Sequence, residues 1–142
     1  MEYRKYGRDC VVRIEKGEEI LTSIQAVCEQ EHILLGTISG IGAVGNVTLG
    51  VFNSEAFAYE TTDYKGDFEI SSCSGNISTM GGKTYLHIHA VIGNPTKGIC
   101  VGGHLSRAVV SLTGEFMLHQ IDGEIDRAYS PEVGLNLIRF ID

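Results

Sequence analysis

Only one stretch of this chain carries a helical stripe, and that limits the fold more than any other feature. Ile20, Leu21, Ile24, Val27 and Cys28 recur at the spacing of one helix face. Gly17-Glu18-Glu19 opens the stretch, and both glutamates are expected in the first turn, where the helix dipole favours negative charge. Glu29-Gln30-Glu31-His32 reads as its wet end. The rest is written in short alternating or β-branched runs between glycine-rich turns. These runs cover residues 10–15, 33–39, 47–52, 57–61, 66–77, 84–92, 107–118 and 135–141, the last expected to close the sheet. The predicted class is α+β: a mostly antiparallel sheet of about seven strands packed with one main helix.

A chain of 142 residues is long enough for a real core, and it is expected to form one domain over 1–142. With 43% hydrophobic and 20% charged residues it has the make-up of an ordered globular protein. No run reaches the ~18 apolar residues that a membrane span needs. Met1-Glu2-Tyr3-Arg4-Lys5 is not followed by an apolar signal core, so a cytoplasmic location is expected. Cys10, Cys28, Cys73 and Cys100 show no paired spacing and sit among apolar or small residues, which predicts buried free thiols. Eleven Lys+Arg against eighteen Asp+Glu give a net charge of −7. A nucleic-acid binder draws most of its affinity from neutralising phosphates, so this balance disfavours DNA as a partner. No dense basic run offsets it.

Gly40-Ile41-Gly42-Ala43-Val44-Gly45 matches the dinucleotide fingerprint G-x-G-x-x-G. That fingerprint requires a helix to follow, to hold the pyrophosphate at its N-terminus. Asn46-Val47-Thr48-Leu49 has a strand pattern instead, so the nucleotide reading fails. A bend between two strands, with glycines relieving crowding, is expected. The small residues Ser71-Ser72-Cys73-Ser74-Gly75 mark a place where another segment must approach closely.

The sharpest chemical signal lies in residues 84–92. On a strand, His87 and His89 project to one face, and Leu86, Ile88 and Ala90 to the other. The turn Gly93-Asn94-Pro95-Thr96-Lys97-Gly98 would return a second strand beside the first and bring His104 to the pair. A lone histidine on an apolar strand is usually a packing residue; three converging on one face point to a metal. Three imidazoles suit Zn²⁺, and three protein ligands with one open position is the catalytic zinc arrangement. Such an ion lowers the pKa of bound water to about 7. The candidate proton shuttles are Glu69 and Glu115, each on a strand flanked by small or apolar residues; the alternative role of Glu115 is an intersubunit ion pair or an acceptor for a ligating imidazole. His32 and His119 stand alone and are not expected to be ligands.

Three blocks carry a resemblance: residues 66–75 from Gly66-Asp67-Phe68-Glu69-Ile70 to Gly75, then His87-Ile88-His89-Ala90, then Gly102-Gly103-His104-Leu105. Together they resemble the plants-and-prokaryotes conserved domain, over nearly the whole chain. The resemblance implies a compact α+β domain that assembles as a homotrimer, with zinc held by His87, His89 and His104. It also brings a label of predicted DNA-binding protein. The plant members read DNA through an AT-hook, whereas Tyr6-Gly7-Arg8 lacks the flanking arginines. A trimer of chains at −7 each would carry roughly −21 and repel DNA. Two other functions fit the residues. One is a small zinc-dependent hydrolase or lyase acting on a small molecule through metal-bound water, with Glu69 or Glu115 moving the proton. The other is a protein-recruiting assembly module, which needs Phe52, Phe57 and Tyr59 in an exposed patch.

Overall fold

A computed structural model describes residues 1–141. The chain forms β1 (Glu2–Tyr6), β2 (Asp9–Glu15), α1 (Ile20–Gln30), β3 (Gly36–Asn53), β4 (Ala58–Met80), β5 (Lys83–Asn94), β6 (Ile99–Gln120), β7 (Ile125–Ser130) and β8 (Leu135–Phe140). The class is α+β; among the described residues there are eight strands and one α-helix, and every strand pairing is antiparallel.

The main sheet runs β1-β2-β6-β3-β4-β5, and β5 also pairs with β6. Strands β3, β4, β5 and β6 therefore form a closed ring, with β2 and β1 continuing outward from β6. Cys10, Val12 and Ile14 alternate inward along β2, and Ile20, Ile24, Val27 and Cys28 meet them from the helix. At 22 residues β6 is long enough to serve several neighbours. One edge pairs with β5 over Ile99–His104 and with β2 over Thr113–His119.

The entry to the helix covers the gap between those two pairings. Gly17 N donates to Val110 O at 2.8 Å, and Val110 N donates to Glu18 O at 3.0 Å. The Glu19 carboxylate accepts from Ala108 N at 3.0 Å, and from Leu21 N and Thr22 N at the head of the helix. This corrects the placement of the glutamates: Glu19 is the N-cap, and Glu18 lies before the helix, bound to the amino terminus. The physical reason is that an extended Glu19 can reach both the orphan helix N–H groups and an unpaired strand N–H. Glu19→Ala is expected to lower the unfolding free energy by roughly 2–3 kcal/mol, with Glu19→Gln losing about 1 kcal/mol, in urea denaturation. An alanine variant within a few tenths of wild type would show that water replaces the carboxylate.

The glycine-rich segment is not a break between strands. Strand β3 runs through it, with register shifts at Gly40/Gly42 and Val44/Asn46 absorbed as bulges. A Cβ on Gly40 would lie 2.1 Å from the Phe116 ring, so glycine there makes room for a fully buried aromatic. In the same way the runs at 57–61 and 66–77 join into β4. The close approach expected at the small residues is that of β5: a Cβ on Gly75 would lie 2.3 Å from His87 O.

Two further expectations change. Cys10, Cys28 and Cys73 are buried free thiols, and burial pushes Cys28 up to about 12; Cys100, however, is exposed, because it sits on the outward-facing register of β6. The last strand does not close the sheet either. Strand β8 pairs only with β7, in a separate two-stranded sheet, because the ring of β3–β6 closes on itself and leaves no edge there. This hairpin is tied to β4 and the turn after it, where Thr79 Oγ1 donates to Ile125 O at 2.8 Å and Gly81 N donates to Asp126 Oδ1 at 3.1 Å.

Candidate metal centre

Two β-hairpins set the histidines. The Gly81-Gly82 turn folds β5 back on β4, with Asn76 opposite His87 and Ser74 opposite His89. Strand alternation then buries Ile88 and Ala90 and leaves His87 and His89 on the other face. The second turn is built by Asn94, whose side chain accepts from Lys97 N, and by Gly98 in the left-handed region at φ 66°. Its register places His104 directly opposite His89. Ring centroids lie 5.1 Å apart for His87 and His89, 5.4 Å for His87 and His104, and 5.7 Å for His89 and His104.

The ligating atoms of the three residues all lie within 4.8 Å of one another. At a tetrahedral zinc with Zn–N near 2.0–2.1 Å, two nitrogens sit about 3.4 Å apart, a distance that modest ring rotations can reach from here. His104 Nδ1 is buried, and no protein group bonds to it among the described residues. An unpaired buried nitrogen costs about 1–3 kcal/mol, so this atom suits a Lewis-acidic partner. Burial lowers the pKa of His104 to about 4, helped by His87 and His89. Burial also lowers His87, with smaller contributions from His89 and Arg127. Both are therefore neutral at pH 7, the form that ligates metals. The donor set is fit to hold a metal ion.

Around the triad lie residues that sequence reasoning did not assign to the histidine site. The Tyr59 ring packs 4.6 Å from the His104 ring. Arg127, on β7, is 7% exposed and lies 4.6 Å above the Tyr85 ring. It donates from Nε to Ser78 Oγ, from Nη1 to Asn136 O and from Nη2 to Asn76 Oδ1, each at 2.8 Å. The C-terminal hairpin is thus anchored beside the histidine strand. The one sequence cue was an arginine inside an otherwise strand-like run, Ile125-Asp126-Arg127-Ala128-Tyr129.

Two adjoining cavities open at the triad. One, of about 250 Å³, is walled by His87, His104, Arg127, Asn76 and Tyr85. The other, of about 370 Å³, shares Tyr59, Tyr85 and His104 and adds Phe52, Phe57 and Tyr129. Phe57 and Tyr59 are exposed and Phe52 is partly buried, so these aromatics line the approach to His104. Neither candidate carboxylate lines these spaces. Glu69 borders a larger cavity of about 560 Å³ with Lys16, Asp67 and Leu112. Glu115 borders a groove of about 420 Å³ with Ser39 and Met117, eleven positions along β6 from His104. His32 and His119 stay apart; His119 Nδ1 pairs with Asp9 at 2.7 Å on the surface.

This fold and this cluster have relatives. Residues 1–122 match the Plants and Prokaryotes Conserved (PCC) domain, and the chain belongs to that family. It is similar to a candidate DNA-binding protein of Bacteroides thetaiotaomicron, at 37% identity over 98% of this chain and 96% of that one, with a TM-score of 0.93. A metal-containing protein of Archaeoglobus fulgidus is 31% identical over 96% of this chain and 95% of its own, with a TM-score of 0.85. A plant- and prokaryote-conserved protein of Pyrococcus horikoshii is 33% identical over 99% and 96%, also with a TM-score of 0.85. No curated protein matches the chain significantly.

Proposed function

We propose that this chain is a zinc-binding member of the family, holding the ion with His87, His89 and His104 and using it to bind a small molecule. The observation that carries the reading is the meeting of three imidazoles, two of them held neutral, with His104 lining both adjoining cavities and His87 lining the smaller one. The metal-containing relative supports it. When bound, the ion supplies a Lewis-acid centre. The chain's residues orient it: Gly75 lets β5 close on β4, the β5–β6 register fixes His104 opposite His89, and Tyr59 holds the His104 ring.

Assembly as a homotrimer is part of this reading. Val11 and Met117 are register partners on the outward face of β2 and β6, both exposed, and Ile41 lies exposed nearby on β3. An outward apolar face of this kind favours association with further copies. DNA binding, the description of the Bacteroides relative, is the weaker second reading. Arg4, Lys5, Arg8, Arg13 and Arg139 are already paired with carboxylates, and Arg127 is buried. Five basic side chains then remain to serve a protein of net charge −7.

Elemental mass spectrometry on untagged protein, with a light-scattering mass and a gel shift at low salt, tests these readings together. Near-stoichiometric zinc, a trimer mass and no shifted DNA are expected. Absence of metal even after zinc is supplied would overturn the metal reading, a monomer mass the assembly, and a salt-sensitive DNA shift the ranking of partners.

A further inference from the structure

Arg127 is a buried cation without a buried anion. The three acceptors of its guanidinium are a hydroxyl, an amide and a backbone carbonyl, and no carboxylate lies within 4.0 Å of the guanidinium nitrogens among the described residues; Asp126 accepts from the Arg127 backbone N–H and pairs with Arg139. Neutral acceptors satisfy its geometry but not its charge, and an uncompensated buried charge is expensive. A guanidinium has five N–H donors. Three are engaged here, which leaves two.

The same guanidinium walls the cavity of about 250 Å³ together with His87 and His104, and its charge is felt at His87. Among the described residues no carboxylate or thiol joins the histidine cluster. An imidazole that ligates a metal is an uncharged donor and leaves the charge of a divalent ion untouched, so ion and Arg127 would together face one small cavity with an excess of positive charge. Such a space selects against cations and calls for an anion of matching size. Drug-sized ligands occupy about 300–1,000 Å³, so the group that enters here is small. The neighbouring chamber, lined by Phe52, Phe57, Tyr59, Tyr85 and Tyr129, leaves room for whatever that group is attached to.

We propose that the cavity between His87, His104 and Arg127 binds a small oxyanion, a carboxylate or phosphate group, whose oxygen is held by the Arg127 guanidinium. The inference rests on the metal reading for the ion that shares the site, but the arginine is present without it. Arg127 is a binding residue in this assignment, and it also anchors the C-terminal hairpin.

Inorganic phosphate and benzoate distinguish the two sources. Each is titrated by calorimetry into zinc-loaded and metal-free wild type and into Arg127→Gln, with zinc content measured in parallel. Wild type is expected to bind one of them with a dissociation constant below roughly 1 mM, and the tighter probe names the head group. Arg127→Gln should keep its zinc and bind about 10- to 100-fold more weakly, the effect of losing a charged hydrogen bond. Equal affinity in the folded variant, or no binding of either probe to wild type in either state, would overturn the proposal. If the chain takes up no zinc yet binds phosphate through Arg127, the metal reading falls and the oxyanion site stands. If Arg127→Gln does not fold, the Nη–H resonances of Arg127 in wild type give the answer. Their displacement by saturating anion upholds the proposal, and unmoved signals overturn it.

Discussion

Zinc added to metal-free protein should raise the thermal midpoint by about 10 °C at a hundredfold excess over the dissociation constant, and should do nothing for His87→Ala/His89→Ala. The arithmetic is mass action: an ion that binds only the folded chain contributes about 2.7 kcal/mol at that concentration. The double variant should fold, because His87 and His89 point away from the core that Ile88 and Ala90 enter. A midpoint that rises equally in variant and wild type would place the metal elsewhere. The metal-free protein carries a separate pH signature. His104 is held at about 4 by burial, whereas an unfolded histidine takes its proton near 6.5. Between those values the unfolded chain binds more protons, so stability rises with pH through the window and is lost as pH falls towards 4. His104→Ala should flatten that slope, and an unchanged slope would assign it to other groups.

The second large effect belongs to Phe116. It is fully buried, and its ring fills the space left open by Gly40 and Gly114, where Cβ atoms would lie 2.1 Å and 3.1 Å from ring carbons. Phe116→Ala should cost about 3–5 kcal/mol in urea denaturation, the range for a large aromatic removed from a packed core. Gly40→Ala should cost about 1–3 kcal/mol or more, because the ring has to move. The two changes share one volume, so their costs should not add. In the double variant the new methyl enters space that the ring has left, and a coupling of about 1–3 kcal/mol in the favourable direction is expected. Additivity within about 0.5 kcal/mol would mean that the ring yields freely and the packing account is wrong.

How much of this was legible in the sequence depends on range. The helix stripe and the alternation of His87 and His89 are set by neighbours a few residues away, and both appear where the periodicity put them. The meeting with His104 followed from one hairpin turn, a local feature with Asn94, Pro95 and Gly98 in place. Bulged strands were harder. Gly40 and Gly42 read as a break because their freedom signals a bend, and only β6, far along the chain, explains them: the Phe116 ring packs on Gly40, and the backbone of Thr113 and Gly114 packs on Gly42. Glu19 read as a helix-dipole partner because its second acceptor role depends on Ala108, 89 positions away. Arg127 was missed for the same reason. Its partners Asn76 and Ser78 are about 50 residues upstream, and no spacing rule links them. The candidate carboxylates Glu69 and Glu115 were singled out by their apolar flanks, but each faces a different cavity from the one at the histidines.

The continuous edge of β6 has a consequence for how this molecule opens. Along one side of that strand the partners follow in series: β5, the entry to the helix, and β2. Pulling the helix away exposes strand amides, and parting the ring loosens the cap that starts the helix. There is no seam along which sheet and helix can come apart one at a time. Sheet and helix are therefore expected to open together, because the histidine cluster at one end of that edge shares one strand with the backbone contact of the capping glutamate in the middle of it.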